Sequence, residues 1–484
     1  MIPPAVVGSF CAAVGDAHCI RAPEQLRTYE SDGLAAYRVT PGIVVLPATT
    51  KEVAECVKIA REAGMPIVAR GSGTGLSGGA LPVPGCALIG LSRMKRILEV
   101  DLDNAFMRVQ PGVINLEVSR ALSAHGFYYA PDPSSQQVCT IGGNVAENSG
   151  GAHCLKYGFT VNHVLGVRMV LSDGSVVEVG GGPVLDQPGY DLTGVVVGSE
   201  GLLGIVTEVV LRILRKPEAT RTFFATFPST TEAGNAVSAI IASGIVPAAI
   251  EMMDRLAIEA AKAATGVDWP DVGAALLMDV DGLAAECEHT SGNAIELARR
   301  AGALEIRVPR DAAERELMWK GRKSAFAAVG RISRDFMVQD GVIPRSKIAE
   351  VLREIAQLGA RFGLRVANVF HAGDGNLHPL VLFDGRVPGE EKKAEELGGE
   401  ILRLCLRYGG SITGEHGVGA DKAAYMAEMF TPQDLDTMQL VRCAFDPSGS
   451  LNPGKVFPTP RLCGDKPGLY TPHPSELSGE AWRA

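Results

Sequence analysis

Three of the nine histidines in this 484-residue chain fall in two short glycine-rich stretches. The first is His371-Ala-Gly-Asp-Gly-Asn-Leu-His378 and the second is Gly414-Glu415-His416-Gly417. Runs rich in β-formers flank the first stretch, Leu364 to Phe370 before it and Leu380 to Phe383 after it. Gly-Asp-Gly-Asn between two such runs predicts a hairpin, because Gly and Asn accept the positive φ that a tight turn needs. A hairpin closing there brings His371 and His378 together across paired strands. Two imidazoles and a carboxylate suit a divalent first-row cation such as Zn, Mn or Fe. The expected metal ligands are therefore His371, His378 and Glu415. Adjacent side chains diverge, so Glu415 and His416 take different tasks: Glu415 faces the metal and His416 faces a substrate, as a base. A plainer reading makes these hydrogen-bonded histidines beside a flexible turn. The gathering of four such groups in two Gly-rich loops favours the site.

The rest of the composition narrows the partners. The length suggests two or three domains, and 46% apolar with 21% charged residues describes an ordinary globular chain. The net charge is −9 with no long basic run, which argues against nucleic acid. Ten cysteines are scattered without a CxxC pair. They read as reduced thiols of a cytoplasmic protein, and they exclude a conventional iron–sulfur cluster in this chain. No Lys or Arg precedes Arg21, so the N-terminus lacks the basic start of a signal peptide. No apolar run reaches the roughly 18 residues of a transmembrane helix.

The elements that must carry the site follow in order. Residues 1–37 read as a helical lead-in. Gly42 to Pro47 is a short buried strand, Thr49-Thr-Lys-Glu52 is a capping box opening a helix, and Met65 to Ala69 is a second strand. The chain thus opens β-α-β. Gly73, Gly75 and Gly78 then match G-x-G-x-x-G, but the loop runs into Leu81-Pro-Val-Pro84 and opens no helix. A Rossmann site is rejected for that reason. The loop can still hold phosphate with a run of backbone N–H groups. A second Gly/Asn/Ser-rich region, from Thr140 to Gly151, again offers donors without positive charge. Strands are expected at 86–91, 106–110, 164–171, 175–179 and 205–213, with a hairpin at Ser172-Asp-Gly174. After Lys216-Pro217 the pattern changes: a helix capped by Ser229 to about Ala242, a helical stretch from Ala248 to Ala264, a strand from Ala274 to Val280, and a charged amphipathic helix from Glu391 to Arg407 with a solvated face.

The order of the motifs resembles a known family. Arg70-Gly-Ser-Gly-Thr-Gly75, Pro131-Asp-Pro-Ser-Ser135, Ile141-Gly-Gly-Asn-Val145, Gly198-Ser-Glu-Gly-Leu-Leu-Gly204 and Asn452-Pro-Gly-Lys455 resemble flavoproteins of the vanillyl-alcohol oxidase and p-cresol methylhydroxylase type. The pairs His371/His378 and Glu415/His416 resemble the C-terminal half of its FAD-linked 2-hydroxyacid dehydrogenases. The resemblance spans nearly the whole chain. It implies an α+β fold. Residues 38–217 would form a two-subdomain FAD-binding domain. Residues 218–457 would form an α+β substrate domain with an antiparallel sheet, whose last segment returns to the flavin, and 458–484 a tail without an assigned role. The implied FAD contacts are Arg70, Gly71, Ser72, Gly73, Thr74, Gly75, Pro131, Asp132, Ser134, Gly142, Gly143, Asn144, Gly150, Glu200, Gly204, Ile205, Asn452 and Lys455.

Relatives that attach flavin covalently carry a His in the first Gly-rich loop. Thr74 stands there, so FAD is expected to be held non-covalently. Family members bind the substrate carboxylate with an arginine matching Arg322, for which a guanidinium has the bidentate geometry. Without the family match, Arg322 would read as one more surface charge on a helix. Some relatives place a lysine shortly before the proline matching Pro344. Met337-Val-Gln-Asp-Gly-Val-Ile-Pro344 lacks it, which disfavours a dicarboxylate substrate. The implied activity is oxidation of glycolate or D-lactate to the 2-oxo acid. The implied partners are a sibling FAD-binding subunit and an iron–sulfur subunit, reaching the membrane's inner face only through them. Alternatives are a stand-alone D-lactate or D-2-hydroxyglutarate dehydrogenase, a catalytically silent flavin subunit, or a metal hydrolase, which would be colourless.

Overall fold

The computed structural model describes residues 2–181, 189–266 and 268–458, so nearly all of the expected tail lies outside the described residues. The chain divides into two compact units. The first holds the described residues up to Gly150, Phe159–Arg215 and those from His416 onward; the second holds Gly151–Gly158 and Lys216–Glu415.

In the first unit the predicted β-α-β opening is present. Ile43–Val45 and Ile67–Arg70 both run parallel to Ala87–Gly90, which lies between them, and Cys19–Ile20 adds an antiparallel edge. Of the N-terminal stretch, Pro4–Val14 is helical. The helix Thr50–Glu62 covers the sheet with Val53, Cys56, Val57 and Ala60. Its cap differs slightly from a reciprocal box. Thr49 accepts from Glu52 N at 3.2 Å, but the Glu52 carboxylate accepts from Ala48 N, at 2.8 Å. No helix or strand occurs from Gly71 to Cys86, as the rejection of a Rossmann turn requires. A five-stranded antiparallel sheet follows, in the order Ile97–Asp101, Phe106–Val109, Ile205–Arg212, Val164–Val170, Val176–Gly180. The C-terminal segment docks on the edge of the parallel sheet: Ile67 N donates to Ser450 O at 2.9 Å and Asn452 N to Ile67 O at 2.7 Å.

The second unit is an antiparallel sheet of nine strands, covered on both faces. Phe223, Ile250, Met252 and Phe370 pack on one side under the helices Thr230–Ala242, Ala284–Arg300, Ile348–Phe362 and Glu390–Arg407. Phe224, Met253, Leu277 and Val369 pack on the other under Arg255–Thr265 and Ala312–Ala328. Thr230–Ala242 starts after Ser229 and ends where expected. The Glu390–Arg407 helix buries Leu397, Ile401, Leu404 and Cys405, so only part of it is a solvated face.

One sequence expectation is corrected. Ala248 to Ala264 is not one helix. Ala249–Asp254 is a strand, and the helix Arg255–Thr265 begins only after Asp254, whose carboxylate accepts from Ala257 N at 2.9 Å. All six residues of that strand are buried. A strand buried on both faces shows no alternation, and Ala, Glu and Met are strong helix formers that tertiary packing overrides here. Cys11, Cys19, Cys56, Cys86 and Cys287 carry thiols that are not in disulfides.

Candidate active site

Three strands of the second unit place three polar side chains in one row. Glu251 lies directly opposite His371, and His371 directly opposite Asn376. Side chains facing each other across paired strands share a face of the sheet. Each of the three is at most 4% exposed. The predicted hairpin makes this possible. Arg365–His371 pairs with Asn376–Leu377 and Pro379–Phe383 around the Ala372–Gly375 turn. His378 returns beside His371, with ring centroids 5.2 Å apart and an interplanar angle of 84°.

Glu415 Oε1 sits between the two imidazoles, 3.2 Å from His371 Nε2 and 3.3 Å from His378 Nε2. One donor atom from each of His371, His378 and Glu415 lies within 4.8 Å of the others, and all three residues are buried. This is a three-ligand set able to hold one cation. Asp340, fully buried, fixes the Glu415 backbone. Its carboxylate accepts from Thr413 Oγ1 at 2.7 Å, Gly414 N at 2.9 Å and Glu415 N at 3.3 Å. Asp340 Oδ1 also lies 3.5 Å from His378 Nε2.

Arg322, on the helix Ala312–Ala328, is 5% exposed, which removes the reading of it as a surface charge. Its Nη2 forms a close ion pair with Glu251 Oε2, while Glu251 Oε1 lies 2.7 Å from His371 Nδ1. One carboxylate therefore joins the arginine to the histidine. Arg322 Nε is buried with no hydrogen-bond partner. Burial works against charge throughout the cluster, but the neighbours outweigh it. Against burial, Arg322 and His371 hold the Glu251 carboxyl down at about 2. The two histidines hold Glu415 below the usual carboxylate range. In turn Glu251 and Glu415 raise His371 well above its ordinary value, and Asp340 and Glu415 raise His378. Burial pushes Asp374, in the hairpin turn, up to about 6.

His416 belongs to the first unit, where its carbonyl accepts from Ser77 Oγ at 2.7 Å. Several of the predicted flavin contacts gather in that unit. Gly71, at the start of the first Gly-rich loop, packs against Thr140. A Cβ on Gly71 would lie 2.3 Å from Thr140 Oγ1, so only glycine permits this approach. Thr140 caps the short helix Ile141–Glu147, which carries Gly142, Gly143 and Asn144. Glu200 adopts a left-handed backbone with φ 50°, and its carboxylate accepts from Val418 N at 2.6 Å and Gly419 N at 2.7 Å. Asn452 Nδ2 donates to Gly79 O at 2.8 Å and Glu200 O at 2.6 Å. Buried Lys455 donates to Leu81 O at 3.0 Å, and burial lowers its ammonium to about 8. Arg70 donates to Tyr29 O at 3.1 Å. Pro131 O accepts from Asn115 Nδ2 at 3.1 Å, and Gly150 is buried. Ser72 and Ser134 are exposed, and Gly204 and Ile205 sit where the central strand Ile205–Arg212 begins. Asn144 Nδ2 and Asn452 Oδ1 are buried without a hydrogen-bond partner, as groups facing a bound ligand would be.

Sequence reasoning missed Glu251, Asp340 and Asn376 as site residues. Glu251 was hidden in the misread helix, and the other two depend on pairings that only the fold makes.

The comparisons with known proteins agree with this architecture. Residues 41–180 match the family described as FAD binding domain, and residues 216–456 match FAD linked oxidases, C-terminal domain. The chain belongs to the FAD-linked oxidase family, and FAD is its cofactor. It is 48% identical over 451 residues to the glycolate oxidase subunit GlcD of Escherichia coli, covering 93% of this chain and 90% of that one. It is 34% identical over 431 residues to a D-lactate dehydrogenase of Archaeoglobus fulgidus, covering 88% and 94% respectively. Among solved structures, p-cresol methylhydroxylase superposes with a TM-score of 0.79 at 18% identity, covering 93% of this chain and 96% of that one. The expected fold is thereby borne out: a flavin-binding part built on a four-stranded and a five-stranded sheet, with a further two-stranded pair, and an α+β part with an antiparallel sheet. No helix among the described residues is long and apolar enough to cross a membrane.

Proposed function

We propose that this chain oxidises a short 2-hydroxy acid, glycolate or D-lactate, to the 2-oxo acid and passes the electrons to partner subunits. The observation that carries the reading is the Glu251 carboxylate, which joins a buried guanidinium to a converging set of metal ligands. A 2-hydroxy acid needs both within a few ångströms, one for its carboxylate and one for its hydroxyl. The relatives named for glycolate and D-lactate support the same substrate class. One methyl group separates the two acids and is worth only about 1–3 kcal/mol in a pocket.

In the proposed mechanism Arg322 grips the substrate carboxylate, using the Nε edge that Glu251 does not occupy. His371, His378 and Glu415 would hold the divalent cation, Zn, Mn or Fe. Their converging donor atoms fit such an ion, which when bound would lower the pKa of the substrate hydroxyl. His416 accepts the hydroxyl proton. FAD, when bound, would supply the acceptor for the hydride leaving Cα as the C=O bond forms. The Gly71–Thr140 contact, Asn144, Glu200, Asn452 and Lys455 support a flavin site in the first unit. Thr74 in place of a histidine leaves FAD non-covalent. A carboxylate-sized grip with no lysine between Met337 and Pro344 favours a monocarboxylate over a dicarboxylate. Lacking an iron–sulfur motif, the chain would hand its electrons to sibling FAD-binding and iron–sulfur subunits, and meet the membrane only through them.

Chelation tests the metal step. Dialysis against EDTA should leave the yellow colour and remove flavin reduction by the 2-hydroxy acid, and Mn²⁺ or Zn²⁺ should restore it. Acid precipitation should then release all the flavin into the supernatant. Full reduction in the chelated, metal-free protein would remove the cation from the mechanism.

A further inference from the structure

Asn376 is out of place as a structural residue. It is 1% exposed, and neither Oδ1 nor Nδ2 has a hydrogen-bond partner. Because both atoms are unsatisfied, the anomaly does not depend on which way the amide is flipped. Buried amides are almost always paired, since leaving one unpaired costs stability. The backbone of Asn376 is fully engaged by contrast: its N–H donates to Asp374 Oδ1 at 3.0 Å, and the residue pairs with both His371 and Val342.

The surroundings place the amide at the site. Asn376 is the end of the row Glu251–His371–Asn376, on the same face of the sheet as the imidazole of His371. Across from it stands Gly414, the residue before Glu415. A Cβ on Gly414 would lie 2.3 Å from Asn376 Oδ1 and 2.6 Å from Nδ2, so glycine at 414 is what leaves the amide its position. At the other end of the row, beyond Glu251, Arg322 Nε is also buried and unpartnered. Two unsatisfied donors thus flank the predicted metal ligand His371.

We propose that Asn376 is a substrate-binding residue, whose Nδ2 donates a hydrogen bond to an oxygen of the bound 2-hydroxy acid. The inference rests on the substrate class proposed above. It explains why the unit keeps an amide that its own fold leaves unpaired: the partner arrives with the ligand.

The test compares wild type, Asn376→Ala and Asn376→Ser as FAD- and metal-loaded proteins. Three quantities are read: the ligand-free melting temperature, the bound metal, and the anaerobic flavin reduction rate against glycolate or D-lactate concentration. The two variants should melt at or above the wild-type temperature, because they lose an unsatisfied group. They should retain the metal, and their half-saturating substrate concentration should rise about tenfold or more. A melting temperature lowered by several degrees in both variants would make Asn376 structural, held by an internal water, and overturn the proposal. Unchanged half-saturation in both variants would overturn it as well, while leaving the 2-hydroxy-acid reading intact. A wild-type flavin that neither acid reduces would instead sink that reading, and this inference with it.

Discussion

Glu251→Ala should weaken the second unit by about 3–5 kcal/mol, the largest stability effect expected for any single change at the site, and lower the affinity of the proposed metal site. Glu251 is 1% exposed and neutralises Arg322, itself 5% exposed. Removing one partner of a buried pair leaves the other charge buried and uncompensated, which is where a cost of about 3–5 kcal/mol arises. The same substitution takes away the oxygen that lies 2.7 Å from His371 Nδ1. A second-sphere carboxylate of that kind fixes the ring orientation of a ligating histidine, and its loss costs roughly 10–100-fold in metal affinity. Glu251→Gln keeps the shape and one polar contact, so it should fall between wild type and Ala on both scales. Urea unfolding and metal titration read the two effects separately. A Glu251→Ala protein as stable as wild type would show that the Arg322 pair contributes nothing. Lowered stability with undiminished metal affinity would separate Glu251 from the function of His371.

His416→Ala should lower the rate of flavin reduction by roughly 10²–10⁴-fold, the range lost with a general base. Folding and flavin content should be unchanged. Its carbonyl accepts from Ser77 Oγ at 2.7 Å, a contact that alanine keeps. The substrate's half-saturating concentration should move little, because the proposed mechanism assigns substrate binding to Arg322 and the metal ligands. A His416→Ala protein that still reduces its flavin at the wild-type rate would remove the base from this residue and pass the proton to another acceptor.

Both substitutions also mark what the sequence could and could not say. The hairpin carrying His371 and His378 was legible because turn chemistry is local: Gly-Asp-Gly-Asn between two β-rich runs has few other solutions. The caps Thr49 and Ser229 were legible for the same reason. Glu251 was not. Its strand is buried on both faces, so it carries no period-2 pattern, and its neighbours Ala249, Met252 and Met253 are of types that prefer helix. Only pairing with Ala274–Gly282 and Arg365–His371 makes it a strand. Arg322 lies on a helix that also carries Arg315, Lys320 and Lys323, and nothing in that spacing shows that it alone of the four is buried. Asp340 holds the backbone of Glu415 across 75 residues of chain, a contact no local pattern encodes. Asn452 was reached through the family motif, but its seat on the edge of Ile67–Arg70 is a tertiary fact.

The most direct test is anaerobic mixing of the purified yellow protein with glycolate, D-lactate, L-lactate and D-2-hydroxyglutarate, following the loss of flavin absorbance. The expected result is fastest bleaching by glycolate or D-lactate, slow or absent bleaching by the dicarboxylate, and loss of the reaction after chelation. A flavin that none of these acids bleaches would leave the FAD-linked oxidase fold standing and remove the proposed 2-hydroxy-acid oxidation.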